Sequence, residues 1–166
     1  MNEIALISPN SLFYLSRANE AKKTLGDISD LGKKLAWEVS EHLQSFDEDG
    51  NMTISQQVKR ITFIGFSLGG LIIRACLPHL EPYKDKMHGF VTLSSPHLGY
   101  TSHQSNLVKS SLWVMEKFVE QGSVKQLNMN DAKDFEDCFL FRLSKNSKLE
   151  WFKHIYLFSS VQDKYI

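Results

Sequence analysis

The spacing of apolar residues along this chain changes several times, and each change marks a new element. Ser-Leu-Phe-Tyr-Leu-Ser-Arg at 11–17 is short, apolar and aromatic, with Pro9-Asn10 before it and a polar run after it. It predicts a buried strand. Ile28, Leu31, Leu35, Val39, Leu43 and Phe46 then recur every three or four residues. That is one face of an amphipathic helix, with Asp27 placed to cap its start. The acidic, glycine-containing stretch 46–55 predicts a turn. A calcium loop is excluded there, because Gly50 stands at the fourth position instead of the sixth and Val58 replaces the bidentate glutamate.

A strand is expected at 60–66, a helix at 68–80 and a second turn around Glu81-Pro82-Tyr83. Further strands are expected at 89–95 and 152–160. Strands that are apolar throughout, with helices between them, predict an α/β fold: a mostly parallel sheet with helices on both faces. The segment between the last two strands has a different character. Residues 106–121 carry Val108, Leu112, Met115 and Val119 on one widened apolar face, and 134–146 reads as a second amphipathic helix. The segment 100–147 is therefore expected to form a helical cap insertion. Ordinary core packing would explain its pattern equally well.

Composition narrows the function classes. At 166 residues the chain suits one domain, and 42% apolar with 23% charged residues is a globular profile. Nineteen basic residues balance nineteen acidic ones without a basic block, which argues against a nucleic-acid partner. Cys76 and Cys138 match no metal spacing, and Cys76 sits in an apolar helical run as a buried free thiol, favouring a reducing, cytoplasmic setting. No stretch approaches the roughly 20 apolar residues of a membrane span, and Glu3 without an early Lys or Arg does not read as a signal peptide. Contact with a membrane surface and the oligomeric state stay open, and no cofactor or metal is expected.

The chemistry centres on Gly65-Phe66-Ser67-Leu68-Gly69-Gly70. Gly-x-Ser-x-Gly between a strand and a helix is the pattern of a nucleophile elbow, which presents a serine hydroxyl on a sharp turn. Gly65, Gly69 and Gly70 keep that corner small, and the Leu68 backbone N–H at the helix start is placed to donate to an oxyanion. In hydrolases built this way the acid and then the histidine follow in chain order. Asp163, just after the strand at 152–160, fits the acid. Only Lys164, Tyr165 and Ile166 come after it, so none of His42, His79, His88, His97, His103 and His154 stands in the expected place. His97, in the loop after the strand at 89–95, could approach Ser67 as a substitute base or shape its own loop by hydrogen bonding. A phosphate-binding reading of Gly69-Gly70 fails, because neither the Walker nor the dinucleotide spacing is met.

The segments FIGFSLGGLIIR, TLSSPHLGY, SLWVMEKF and SSVQDKYI together resemble the putative serine esterase family, a lipase-like branch of the α/β-hydrolases. The likeness in order and spacing extends over nearly the whole chain. Pro96, His97 and Gly99 in Ser-x-Pro-His-x-Gly form its companion motif beside the site. The resemblance implies hydrolysis of an acyl ester or lipid through Ser67 and Asp163. The sequence departs from the family pattern at Phe66, where such lipases usually carry His. It also has no His-Gly strand before residue 11 and no histidine after the acid. The expectation is thus a partial α/β-hydrolase domain, with the catalytic histidine outside this chain and the 166 residues alone nearly inert. Loss of the histidine costs on the order of 10⁶ in turnover in such enzymes. The alternative is a non-catalytic module of hydrolase fold that binds a lipid or a protein.

Overall fold

The computed structural model describes residues 11–20, 26–47, 49–99 and 122–160. Helix α1 (Ile28–Gln44) begins at Asp27, whose side chain accepts from the Ser29 N–H at 2.7 Å. Ile28, Leu31, Leu35 and Leu43 are buried along the face that their spacing predicts. The helix ends before Phe46, which is exposed and forms a bridge with Thr53 across the 46–55 turn. Asp47 closes that turn by accepting from Asn51 N–H at 3.0 Å and from the Gln57 side chain. A one-turn helix α2 (Ile54–Gln57) follows, and Lys86 Nζ donates to the Ser55 and Val58 carbonyls at its C-terminal end.

Strand β1 (Ile61–Phe66), helix α3 (Leu68–Cys76) and strand β2 (Met87–Leu93) make a β-α-β unit with parallel strands, α3 being joined to β2 through short 3₁₀ turns at Leu77–His79 and Glu81–Lys86. Pro78 and Pro82 start those turns and prevent α3 from running to residue 80. Helix α4 (Gly122–Leu127), a 3₁₀ turn (Phe135–Asp137), helix α5 (Phe139–Lys145) and strand β3 (His154–Phe158) complete the described residues. The three strands are parallel in the order β1-β2-β3, and Gly65, Thr92 and Leu157 lie abreast.

Helix α3 is buried almost all round because it is enclosed between the sheet and α1. Leu71, Cys76 and Leu77 are completely covered there, and Phe90 is their counterpart on the sheet. Each such side chain contributes roughly 1.5–3 kcal/mol by leaving water. Burial pushes the Cys76 thiol well above its ordinary pKa, so it acts as a small core residue.

Two expectations are corrected. Residues 11–17 form no strand: they are irregular, and Leu12, Phe13, Tyr14 and Leu15 are exposed. The segment is tied to α1 instead, through Ser16 and Arg17 N–H to Glu38 and through Tyr14 stacked on His42 at 3.9 Å. Among the described residues β1 and β3 are the sheet edges, and 11–17 pairs with neither. The expected strand at 152–160 forms as β3, but all five of its residues are exposed. Among the described residues, the sheet face opposite α3 carries exposed Ile64, Phe66, Leu93, Tyr156 and Phe158. The expected helix at 106–121 lies outside the described residues; of 134–146, the part from Phe139 to Lys145 is helical.

Candidate active site

A parallel sheet places the C-terminal ends of its strands at one edge, and in open α/β sheets that is where ligands bind. Ser67 follows the last residue of β1 with φ 52° and ψ −125°. A non-glycine residue in that conformation is strained by about 1–3 kcal/mol and persists only where its surroundings hold it. Here the Ser67 N–H extends the β1–β2 ladder to the Leu93 carbonyl at 2.9 Å, and the Ser67 carbonyl accepts from Gly70 N–H at 3.2 Å. The backbone is thereby fixed on both sides of the turn.

Two glycines make the turn sterically feasible. A Cβ on Gly65 would stand 2.7 Å from Gly70 N and 2.9 Å from the Gly69 carbonyl carbon. A Cβ on Gly70 would stand 2.4 Å from Ser95 Oγ and 2.9 Å from a Thr92 methyl. Gly69 differs from what the sequence suggests, because a Cβ there meets nothing within 4 Å. Among the described residues it borders open space, and the close approach of strand to helix depends on Gly65 and Gly70.

The Ser67 side chain does not cap α3 and has no hydrogen-bond partner among the described residues. It is partly exposed. Leu68 is the first residue of α3, so its N–H has no carbonyl four residues back to bond within the helix. A hydroxyl and a backbone donor thus stand together at the positive end of a helix dipole, which is suited to an oxyanion formed at the serine.

The companion loop takes the other role foreseen for it. Thr92 Oγ1 lies 2.9 Å from His97 Nε2, while Arg74 Nη1 lies 3.4 Å from Nδ1 and donates to the His97 carbonyl at 3.2 Å. A guanidinium can only donate, so Nδ1 is the acceptor and the Nε2–H donates to Thr92. Burial, and then the Arg74 charge, lower the pKa of His97 to about 4. The ring is neutral, and its lone pair is turned to a cation. Arg74 is also seven residues, roughly 10 Å along the helix axis, beyond Ser67. His97 thus ties the 94–99 loop to α3 and to β2. Pro96 is buried and accepts from Gly99 N–H at 3.0 Å. Gly99 has φ +76°, and a Cβ there would stand 2.3 Å from the Leu127 carbonyl oxygen, so only glycine lets the loop pass α4.

His88 and His154 contact each other at the N-terminal ends of β2 and β3, the opposite end of the sheet from Ser67. His42 is on α1, and His79 is exposed at the end of a 3₁₀ turn. Asp163 and His103 lie outside the described residues. Asp163 comes five positions after the end of β3.

Sequence reasoning missed Arg74, Thr92 and Ser95, a polar set buried between α3 and the 94–99 loop. The available signal was one arginine inside the apolar run Leu71-Ile72-Ile73-Arg74-Ala75-Cys76. It also missed Gln126, whose side chain accepts from Ile28 N–H at 2.8 Å and donates to Asp27 at 2.7 Å, joining α4 to the start of α1.

The family model described as putative serine esterase matches residues 3–166. The crystal structure of Bacillus licheniformis lipase BlEst2 in mature form is similar at 20% identity and a TM-score of 0.49, over 80% of this chain and 48% of that one. The chain thus spans about half the length of that lipase. The family match extends over nearly all of the sequence, and the chain belongs to the putative serine esterase family.

Proposed function

We propose, from that membership, that the protein is a serine-dependent hydrolase of carboxylic esters, lipid esters included, with Ser67 as its nucleophile. Ser67 Oγ attacks the acyl carbonyl, the Leu68 N–H donates to the resulting oxyanion, and the alcohol leaves from an acyl-serine that water then cleaves. Asp163 orients the general base, as in a serine triad. That base is a histidine outside residues 1–166. This assignment is supported by the neutral, doubly hydrogen-bonded state of His97, by the far end of the sheet that holds His88 and His154, and by the chain order, in which all six histidines precede Asp163.

The observation that carries the reading is the backbone of Ser67: a positive φ at a strand–helix corner, with the hydroxyl uncommitted. The test is reaction with a fluorophosphonate probe, on this chain and on the chain together with whatever coding sequence flanks it. The longer protein labels and Ser67→Ala does not, while the 166-residue chain labels at least 10³-fold more slowly for want of its base. If Ser67→Ala in the longer protein labels like its parent, Ser67 is not the nucleophile. An unreactive but folded longer protein would favour the binding-module reading.

A further inference from the structure

A cavity of about 340 Å³ opens between the 94–99 loop, α5 and the sheet. Its walls are apolar: Phe90 and Leu157 from the sheet, Leu140 and Phe141 from α5, and Met129 and Leu149 from the connections around it. One lining side chain carries a charge, that of Arg74. Arg74 is only 6% exposed, and none of the ion pairs among the described residues includes it. Its Nη1 holds His97, whereas its buried Nε has no acceptor among the described residues. Buried polar groups are rarely left without a partner, and a buried cation without a counter-charge is rarer still. Burial holds the Arg74 pKa below its ordinary value, and no carboxylate among the described residues raises it.

We propose that this cavity is a binding site for a monocarboxylate with a short apolar tail, the carboxylate against the Arg74 guanidinium and the tail along Phe90, Leu140 and Phe141. An anion supplies the counter-charge that Arg74 lacks among the described residues, and the surrounding side chains suit a hydrocarbon. A single negative charge matches a single buried cation, whereas a dianionic head would bring one charge too many into an apolar enclosure. The cavity volume is at the lower end of ligand sites, which limits the tail to a short chain. The site is separate from Ser67, and its occupancy does not depend on ester hydrolysis.

Titration calorimetry with octanoate, 1-octanol, octylamine and octyl phosphate tests the assignment without any substitution. Octanoate binds at least tenfold more tightly than octanol, the size expected of one charge-assisted hydrogen bond. Octylamine binds more weakly than octanol, and octyl phosphate no more tightly than octanoate. Arg74→Gln brings octanoate down to the level of octanol and leaves octanol unchanged. Ser144→Trp, at an exposed position on the cavity rim, weakens both ligands. Equal binding of octanoate and octanol, absence of octanoate binding, or a carboxylate preference retained in Arg74→Gln overturns the proposal. Tighter binding of octyl phosphate overturns the choice of head group. If Arg74→Gln does not fold, the ligand series on the unaltered chain decides.

Discussion

Ser67 carries a local conflict between backbone and side chain. Its φ of 52° is uncomfortable for any side chain, and the turn is held because the ladder bond to Leu93 continues through it. A glycine would adopt the same conformation without penalty. Ser67→Gly is therefore expected to stabilise the fold by about 1 kcal/mol, the lower part of the usual range for such strain. Urea unfolding measures this, and an unchanged or lower midpoint would mean that the conformation is not strained. The same substitution removes the nucleophile, so probe labelling and stability should move in opposite directions. His97 shows the converse case, a residue of reactive type made inert by its partners. Its proton is given to Thr92 and its lone pair to Arg74, and both bonds fix the loop.

At the scale of elements, α1 and α3 approach each other closely. A Cβ on Gly32 would stand 2.6 Å from the Ala75 Cβ and 2.7 Å from the Ala75 carbonyl carbon, so the two helix backbones nearly touch. Helix propensity alone favours alanine over glycine by about 1 kcal/mol in a helix interior. Packing opposes this, since forcing a methyl into a filled contact costs about 1–3 kcal/mol. Gly32→Ala is expected to lower the melting temperature, because the clash is with backbone that cannot turn aside. A raised melting temperature would show that α1 can move away from α3 freely. The approach positions the site, because α1 presses α3 against β1 and β2, and α3 presents Leu68.

For the whole molecule, the parallel register brings Ser67, the 94–99 loop and the end of β3 to one edge of the sheet. The neutral His97 links that edge to α3, which makes global stability sensitive to acid. Its pKa is about 4 in the folded protein against 6.5 ordinarily. Between those values the unfolded chain takes up a proton that the folded one refuses. The contribution is thus complete above about pH 6.5 and is lost as the pH falls toward 4. The loss is on the order of 1 kcal/mol, less than the full shift implies because the ring is partly open to solvent. Urea midpoints at pH 7 and pH 4.5 should differ more in the parent chain than in His97→Gln. Equal differences would mean that His97 is not held neutral by the fold.

The capped α1, the elbow's strand and helix, and the alternation that gives a parallel sheet were legible in the sequence. They depend on spacing and on local chemistry: apolar residues every three or four positions after Asp27, and Gly-x-Ser-x-Gly between two apolar runs. Only the tertiary structure decided the fate of 11–17, the division of roles between Gly69 and Gly70, and the state of His97. Each of these depends on partners distant in the chain. A strand needs a neighbouring strand to bond, a glycine is required only where another element comes close, and an imidazole is a base only if its lone pair is free. Arg74 shows the limit most plainly. In sequence it interrupts an apolar helix, and only the fold shows that its charge faces a cavity with no carboxylate among the described residues to meet it.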